Sequence, residues 1–108
     1  MDKTDAQMAK DAGNRVNIAD PFARRLMVQY LGRREADLQS LRSALASEDF
    51  DSIRIKGHNL YGSGSAYGLD RISELGADLE RAAKKHDGDH IGQLIDTLET
   101  FIRSVRVV

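Results

Sequence analysis

Apolar residues recur along this chain at helical rather than strand period. After residue 20, Leu26, Tyr30 and Leu31 are followed by Leu38, Leu41 and Leu45, the spacing that gathers side chains on one face of an α-helix. Asp20-Pro21 marks the start of that helix, because aspartate caps free amide groups and proline suits the first helical position. Gly32 falls between the two apolar groups and marks either a bend or the weakest turn. The polar run SEDFDS at 47–52 closes the helix, and Ser47 or Asp49 is placed to cap the next, with Phe50 and Ile53 entering the core. The second segment runs from about Asp49 to Ala66 and breaks at Tyr67-Gly68. A third begins near Leu69, carries Ile72, Leu75 and Leu79 on one stripe, and ends in Lys84, Lys85 and His86, cations suited to a helix C-terminus. The turn His86-Asp87-Gly88-Asp89 leads to a last segment with Ile91, Leu94, Ile95, Leu98, Ile102 and Val105 in one stripe. Strand-like alternation is confined to the closing VRVV. Four amphipathic helices on short turns predict an all-α fold, an antiparallel up-down four-helix bundle over residues 18–108. Residues 1–17 make a short N-terminal arm, either a frayed helix or an irregular segment.

Composition narrows the partners. The 108 residues suffice for one domain, and 41% hydrophobic with 31% charged residues fits a folded globular chain. Lys and Arg number 16 against 17 Asp and Glu, so the cationic field that nucleic-acid backbones demand is missing. No apolar run approaches the ~20 residues of a membrane span, and the first residues lack the apolar core of a signal peptide. The absence of cysteine removes disulfides and thiolate metal sites and is compatible with a reducing compartment. A cytoplasmic protein without nucleic-acid or membrane partners is the expectation.

The chemistry concentrates in the second segment. On a helical projection Asp51, Arg54, Gly62 and Ser65 lie within roughly 40° of the direction of His58, and Ile55 and Tyr61 flank that stripe at roughly 60°. Ile53, Gly57, Leu60 and Gly64 fall on the opposite, core-facing side, where glycines let a neighbouring helix approach closely. His58 therefore points to solvent, with Gly62 one turn onward leaving room for a bulky group beside the ring. Two readings fit this pattern: an incidental surface histidine, and an imidazole presented as a nucleophile to a large partner. Elsewhere the pattern is bland. His86 and His90 have a helical metal-ligand spacing, but Gly88 makes the segment a turn, so no metal site is expected. The run from Gly62 to Ser65 lacks the Gly-Lys-Ser/Thr ending of a P-loop, and Arg33-Arg34-Glu35 reads as a solvated face.

The stretch Gly57-His58-Asn59-Leu60-Tyr61-Gly62-Ser63, with Gly68 ten positions after the histidine, resembles the histidine-containing phosphotransfer (HPt) domain of phosphorelays. Leu69, Ile72, Leu75 and Leu79-Glu80 resemble the family's next helix, and Asp20-Pro21 with LQSLRSALASEDFDSI its preceding ones, so the similarity spans about residues 18 to 105. The resemblance implies that His58 accepts a phosphoryl group from the phosphoaspartate of a response-regulator receiver domain and passes it to another, with a hybrid histidine kinase upstream. It implies a monomeric, stoichiometric carrier rather than an enzyme, with no cofactor of its own and Mg²⁺ supplied by the receiver. Arg54, Tyr61, Gly62 and Ser65 would neighbour the phosphoryl group, with Gly62 as the clearance position. Ile55 and Leu69, exposed-leaning apolar residues near His58, either form an apolar receiver-docking patch or complete the bundle core. Tyr61 is the largest departure, standing where the family usually has a lysine beside the phosphoryl group; Arg54 is placed to supply that charge instead. Gly57 stands where alanine is more common. Two alternatives carry different expectations. A phosphorylation-independent helical module that docks a receiver or kinase would crowd His58 with Arg54 and Tyr61, and a plain helical scaffold would bury it.

Overall fold

A computed structural model describes residues 15–108, so nearly all of the N-terminal arm lies outside the described residues. In chain order they form β1 (Arg15–Val16), α1 (Pro21–Ala46), α2 (Phe50–Gly64) with a 3₁₀ turn at Ser65–Tyr67, α3 (Asp70–Lys84), α4 (Gly88–Ser104) and β2 (Arg106–Val107). Each helix packs on its sequence neighbour and α1 also packs on α4, which closes an antiparallel four-helix bundle. The all-α expectation holds, with a two-residue parallel pairing of β1 and β2 added where the ends of the described chain meet. None of the described helices is long and apolar enough to cross a membrane.

The helix ends follow from local chemistry. Asp20, Asp49 and Asp87 each accept a backbone N–H of the first turn, from Phe22, Ser52 and His90, all at 3.1 Å. Asp49, rather than Ser47, is thus the cap of α2, and Ser47 turns its hydroxyl back to the carbonyl of Ser43. All three connections between helices pass through one left-handed residue: Glu48, Gly68 and His86. Glycine fills one of these positions. His86 takes the third, its ring stacked on Phe50 with centroids 4.5 Å apart. Gly88, read from the sequence as part of a turn, is already the first residue of α4.

The core is a layer of branched aliphatic residues, with Ile53, Leu60, Ile72, Leu79, Ile95 and Leu98 at its centre. In α1 the buried stripe runs Met27, Tyr30, Leu38 and Leu41, not through Leu26, which is 38% exposed. The position between Tyr30 and Leu38 is Arg34, whose side chain is only 11% exposed. Its guanidinium lies 4.0 Å from the Tyr30 ring centroid, and its Nε is 2.8 Å from Asp37 Oδ2. Asp37 also accepts from Lys56 of α2 at 2.9 Å, so Arg34 belongs to a polar seam between α1 and α2 rather than to a solvated face. On the other side of α1, Glu99 and Asp96 of α4 hold the Arg42 guanidinium above its ordinary pKa. Arg42 and Asp96 are exposed and Glu99 half-buried, so these surface ion pairs add orientation more than stability.

The closest packing is between α2 and α3, and three glycines permit it. A Cβ on Gly57 would stand 2.7 Å from the carbonyl oxygen of Gly76, and one on Gly76 would stand 2.5 Å from the Tyr61 nitrogen. A Cβ on Gly64 would meet the Ser73 nitrogen at 2.6 Å. These contacts are with backbone, which cannot swing aside, so the two helices touch at main-chain distance. Gly57 and Gly64 thus serve packing, as their core-facing register indicates, with Gly76 as their partner on α3.

Candidate functional site

The close contact of α2 and α3 sets one histidine beside one carboxylate. His58 leaves the outer face of α2, and its side chain is 65% exposed. Because α3 approaches at glycine distance, Glu80 reaches across and places Oε1 3.4 Å from His58 Nδ1, a long hydrogen-bonding contact. A carboxylate at Nδ1 favours the tautomer with the proton on that nitrogen, which leaves the Nε2 lone pair on the side of the ring turned from Glu80. Glu80 is in turn within 3.7 Å of Lys84 Nζ. The arrangement is an oriented imidazole on an open surface.

Gly62 stands one turn after His58 and is exposed. A Cβ built there meets nothing within 4 Å, in contrast to Gly57, Gly64 and Gly76. Internal packing therefore gives no reason for glycine at 62. Tyr61 is 54% exposed, with its ring centroid 6.5 Å from that of His58 and tilted to it. Arg54 turns the other way along the helix and donates to Asp51 at 2.8 Å, so its charge is directed one turn back from the imidazole. Ile55 is exposed on the His58 side of α2.

Two residues expected at the site lie elsewhere. Leu69 is 5% exposed and part of the core. The left-handed Gly68 turns the chain, so the projection from α2 does not continue through it, and Leu69 N–H instead donates to the Gly64 carbonyl at 2.9 Å. Leu69 cannot form a docking patch with Ile55. Ser65 shares the angular direction of His58 but stands seven residues on, roughly 10 Å along the axis. There the buried Ser73 hydroxyl enters the helix ladder: it accepts the Ser65 N–H at 2.8 Å and donates to the Tyr61 carbonyl at 2.8 Å. The Ser65 hydroxyl is 3.0 Å from the same oxygen, which ties it to α3 and not to the imidazole.

A family model described as the Hpt domain matches residues 25–107. This chain belongs to the Hpt domain family. No curated protein and no solved structure matches it. Hpt domains are the phosphocarrier modules of two-component phosphorelays, where they work with receiver domains and histidine kinases. In this Hpt domain the residue that sequence reasoning passed over is Glu80. It was visible as part of the Leu79-Glu80 ending, but its contact with His58 depends on the close approach of α3, which needed Gly76 to be paired with Gly57. The other two histidines sit away from this face: His86 stacks on Phe50 in the turn between α3 and α4, and His90 lies in the first turn of α4. Among the described residues no three metal-ligating side chains cluster.

Proposed function

We propose that this Hpt domain is a phosphorelay intermediate that accepts a phosphoryl group on His58 Nε2 from a receiver phosphoaspartate and passes it to a second receiver. The observation that carries this reading is the exposed imidazole held at Nδ1 by Glu80, 3.4 Å away, with bare Gly62 beside it. In the forward step the Nε2 lone pair forms the N–P bond while the P–O bond to the receiver aspartate breaks. The carboxylate leaves with the electron pair, and the proton stays on Nδ1 as an imidazolium facing Glu80. The second receiver reverses these bonds with its own aspartate as nucleophile. Positioning and electrostatics dominate phosphoryl transfer, so the domain needs little beyond nucleophile, orientation and docking surface. Mg²⁺ belongs to the receiver in this scheme, and the domain acts as a monomer, stoichiometrically. Ile55 and Tyr61, both exposed, supply the apolar contact around the histidine.

The rival binding-module reading expects Arg54 and Tyr61 to crowd the ring. The pairing of Arg54 with Asp51 and the 6.5 Å separation of the His58 and Tyr61 centroids favour the carrier instead. The scaffold reading expects a buried histidine, and the 65% exposure of the His58 side chain speaks against it. The test is transfer from a phosphorylated receiver domain to the wild-type chain and to His58→Gln. Label on the wild type alone supports the carrier; label on both, or none on the wild type from any receiver of its relay, overturns it.

A further inference from the structure

We propose that Lys84 is the counter-ion of the phosphoryl group on His58, an inference that rests on the carrier reading above and adds the residue that balances its charge. A phosphoryl group on Nε2 brings about two negative charges at neutral pH. It arrives on a ring whose Nδ1 is already 3.4 Å from the Glu80 carboxylate. The Nδ1 proton faces Glu80 and offsets only part of the phosphoryl charge on the other side of the ring, so a further cation nearby would stabilise the phosphorylated state. Most cations on the two flanking helices are committed elsewhere: Arg54 to Asp51 at 2.8 Å, Lys56 to Asp37 at 2.9 Å, Arg71 to Glu74 at 3.2 Å, and Arg81 to Asp78. Lys84 differs from these in two ways. Its partner is Glu80 itself, and the 3.7 Å separation is longer than that of any of the other pairs. Its side chain is largely exposed, and helical side chains lean toward the N-terminus, which carries its flexible stem back along α3 toward Glu80 and His58. Nζ can therefore shift from Glu80 toward the phosphoryl oxygens without breaking a packed contact. Glu80 is left to face the proton on Nδ1, and Lys84 the charge on Nε2.

A small donor isolates this effect from docking. With phosphoramidate the Nε2 lone pair forms the N–P bond, the donor P–N bond breaks, and ammonia leaves with that bond's electron pair; the Nδ1 proton is retained. Labelling of His58 is followed by phosphorus NMR in the full chain. Lys84→Gln is expected to slow labelling about two- to fivefold, the scale of one exposed ion pair. Lys84→Arg keeps the wild-type rate. Tyr61→Lys restores it in the Lys84→Gln chain, because position 61 brings a cation to the same ring from α2. Lys84 also lies in the last turn of α3, and a purely helix-capping role lowers the melting temperature without touching the labelling rate. A wild-type rate in Lys84→Gln, with label still lost in His58→Gln, overturns the inference and leaves the carrier reading standing. A wild type that takes no label on His58 overturns both.

Discussion

Replacing Gly62 by alanine separates two demands on the surface beside His58. Glycine in an exposed helix interior costs about 1 kcal/mol relative to alanine. At position 62 nothing lies within 4 Å of a new Cβ, so no clash subtracts from that gain. Gly62→Ala is therefore expected to stabilise the fold by about 0.5–1 kcal/mol. For a domain of this size that is a rise of about 2–8 °C in melting temperature. In urea, with a slope of about 1–3 kcal/mol per molar, the midpoint rises by a few tenths of a molar up to about 1 M. Gly62→Leu keeps a folded bundle for the same steric reason but fills the space beside the imidazole. Transfer to it from a phosphorylated receiver is expected to fall at least about tenfold, a barrier increase of about 1.4 kcal/mol. Labelling by phosphoramidate, which needs no docking surface, should change little. A lower melting temperature in Gly62→Ala would refute the open-surface assignment. A wild-type receiver rate in Gly62→Leu would refute the clearance role.

Three further outcomes follow from the packing and the caps. Gly76→Ala forces a Cβ to 2.5 Å from the Tyr61 nitrogen, so overpacking of about 1–3 kcal/mol should outweigh the helical gain of alanine and part Glu80 from His58; an unchanged urea midpoint would deny the close contact of α2 and α3. Leu69→Ala should cost about 2–5 kcal/mol as a buried truncation, whereas Ile55→Ala stays within about 0.5 kcal/mol and weakens receiver transfer; equal stabilities would contradict the burial of Leu69. The Ser52 hydroxyl and backbone N–H hold the Asp49 carboxyl below its ordinary pKa, so its contribution is fully present above the unfolded-state pKa and is lost as pH falls through the lower folded-state value. Asp49→Asn should flatten the acid limb of the stability profile, and an unaltered limb would show that the Asp49 cap does not titrate with folding.

The bundle was legible because its helices are amphipathic and stopped by clear signals. Asp20-Pro21, the polar stretch at 47–52 and Gly68 each mark a boundary close to the observed one. Misreadings arose where one residue broke the pattern. Arg34 occupies a core register, which interrupts the stripe of Met27, Tyr30 and Leu38 and makes Leu26 the apparent partner of Tyr30. Its buried stem and its place over the Tyr30 ring are tertiary facts that polarity alone does not express. Ser65 was misplaced because angular direction ignores the roughly 10 Å of axial rise that separates it from His58, and Leu69 because the turn at Gly68 carries it into the core. The exposure of His58 and the open surface at Gly62 were legible, both properties of α2 alone. Glu80 was not, because it meets His58 only through the contact of Gly76 with Gly57, which is set by two helices together.

The central claim is that one nitrogen of one histidine carries the phosphoryl group. Nitrogen-15 and phosphorus NMR on the chain phosphorylated by its receiver locates that group among His58, His86 and His90. The expected result is a single N–P bond at His58 Nε2, with Nδ1 protonated toward Glu80. A bond at Nδ1, or at either of the other two histidines, would contradict the account.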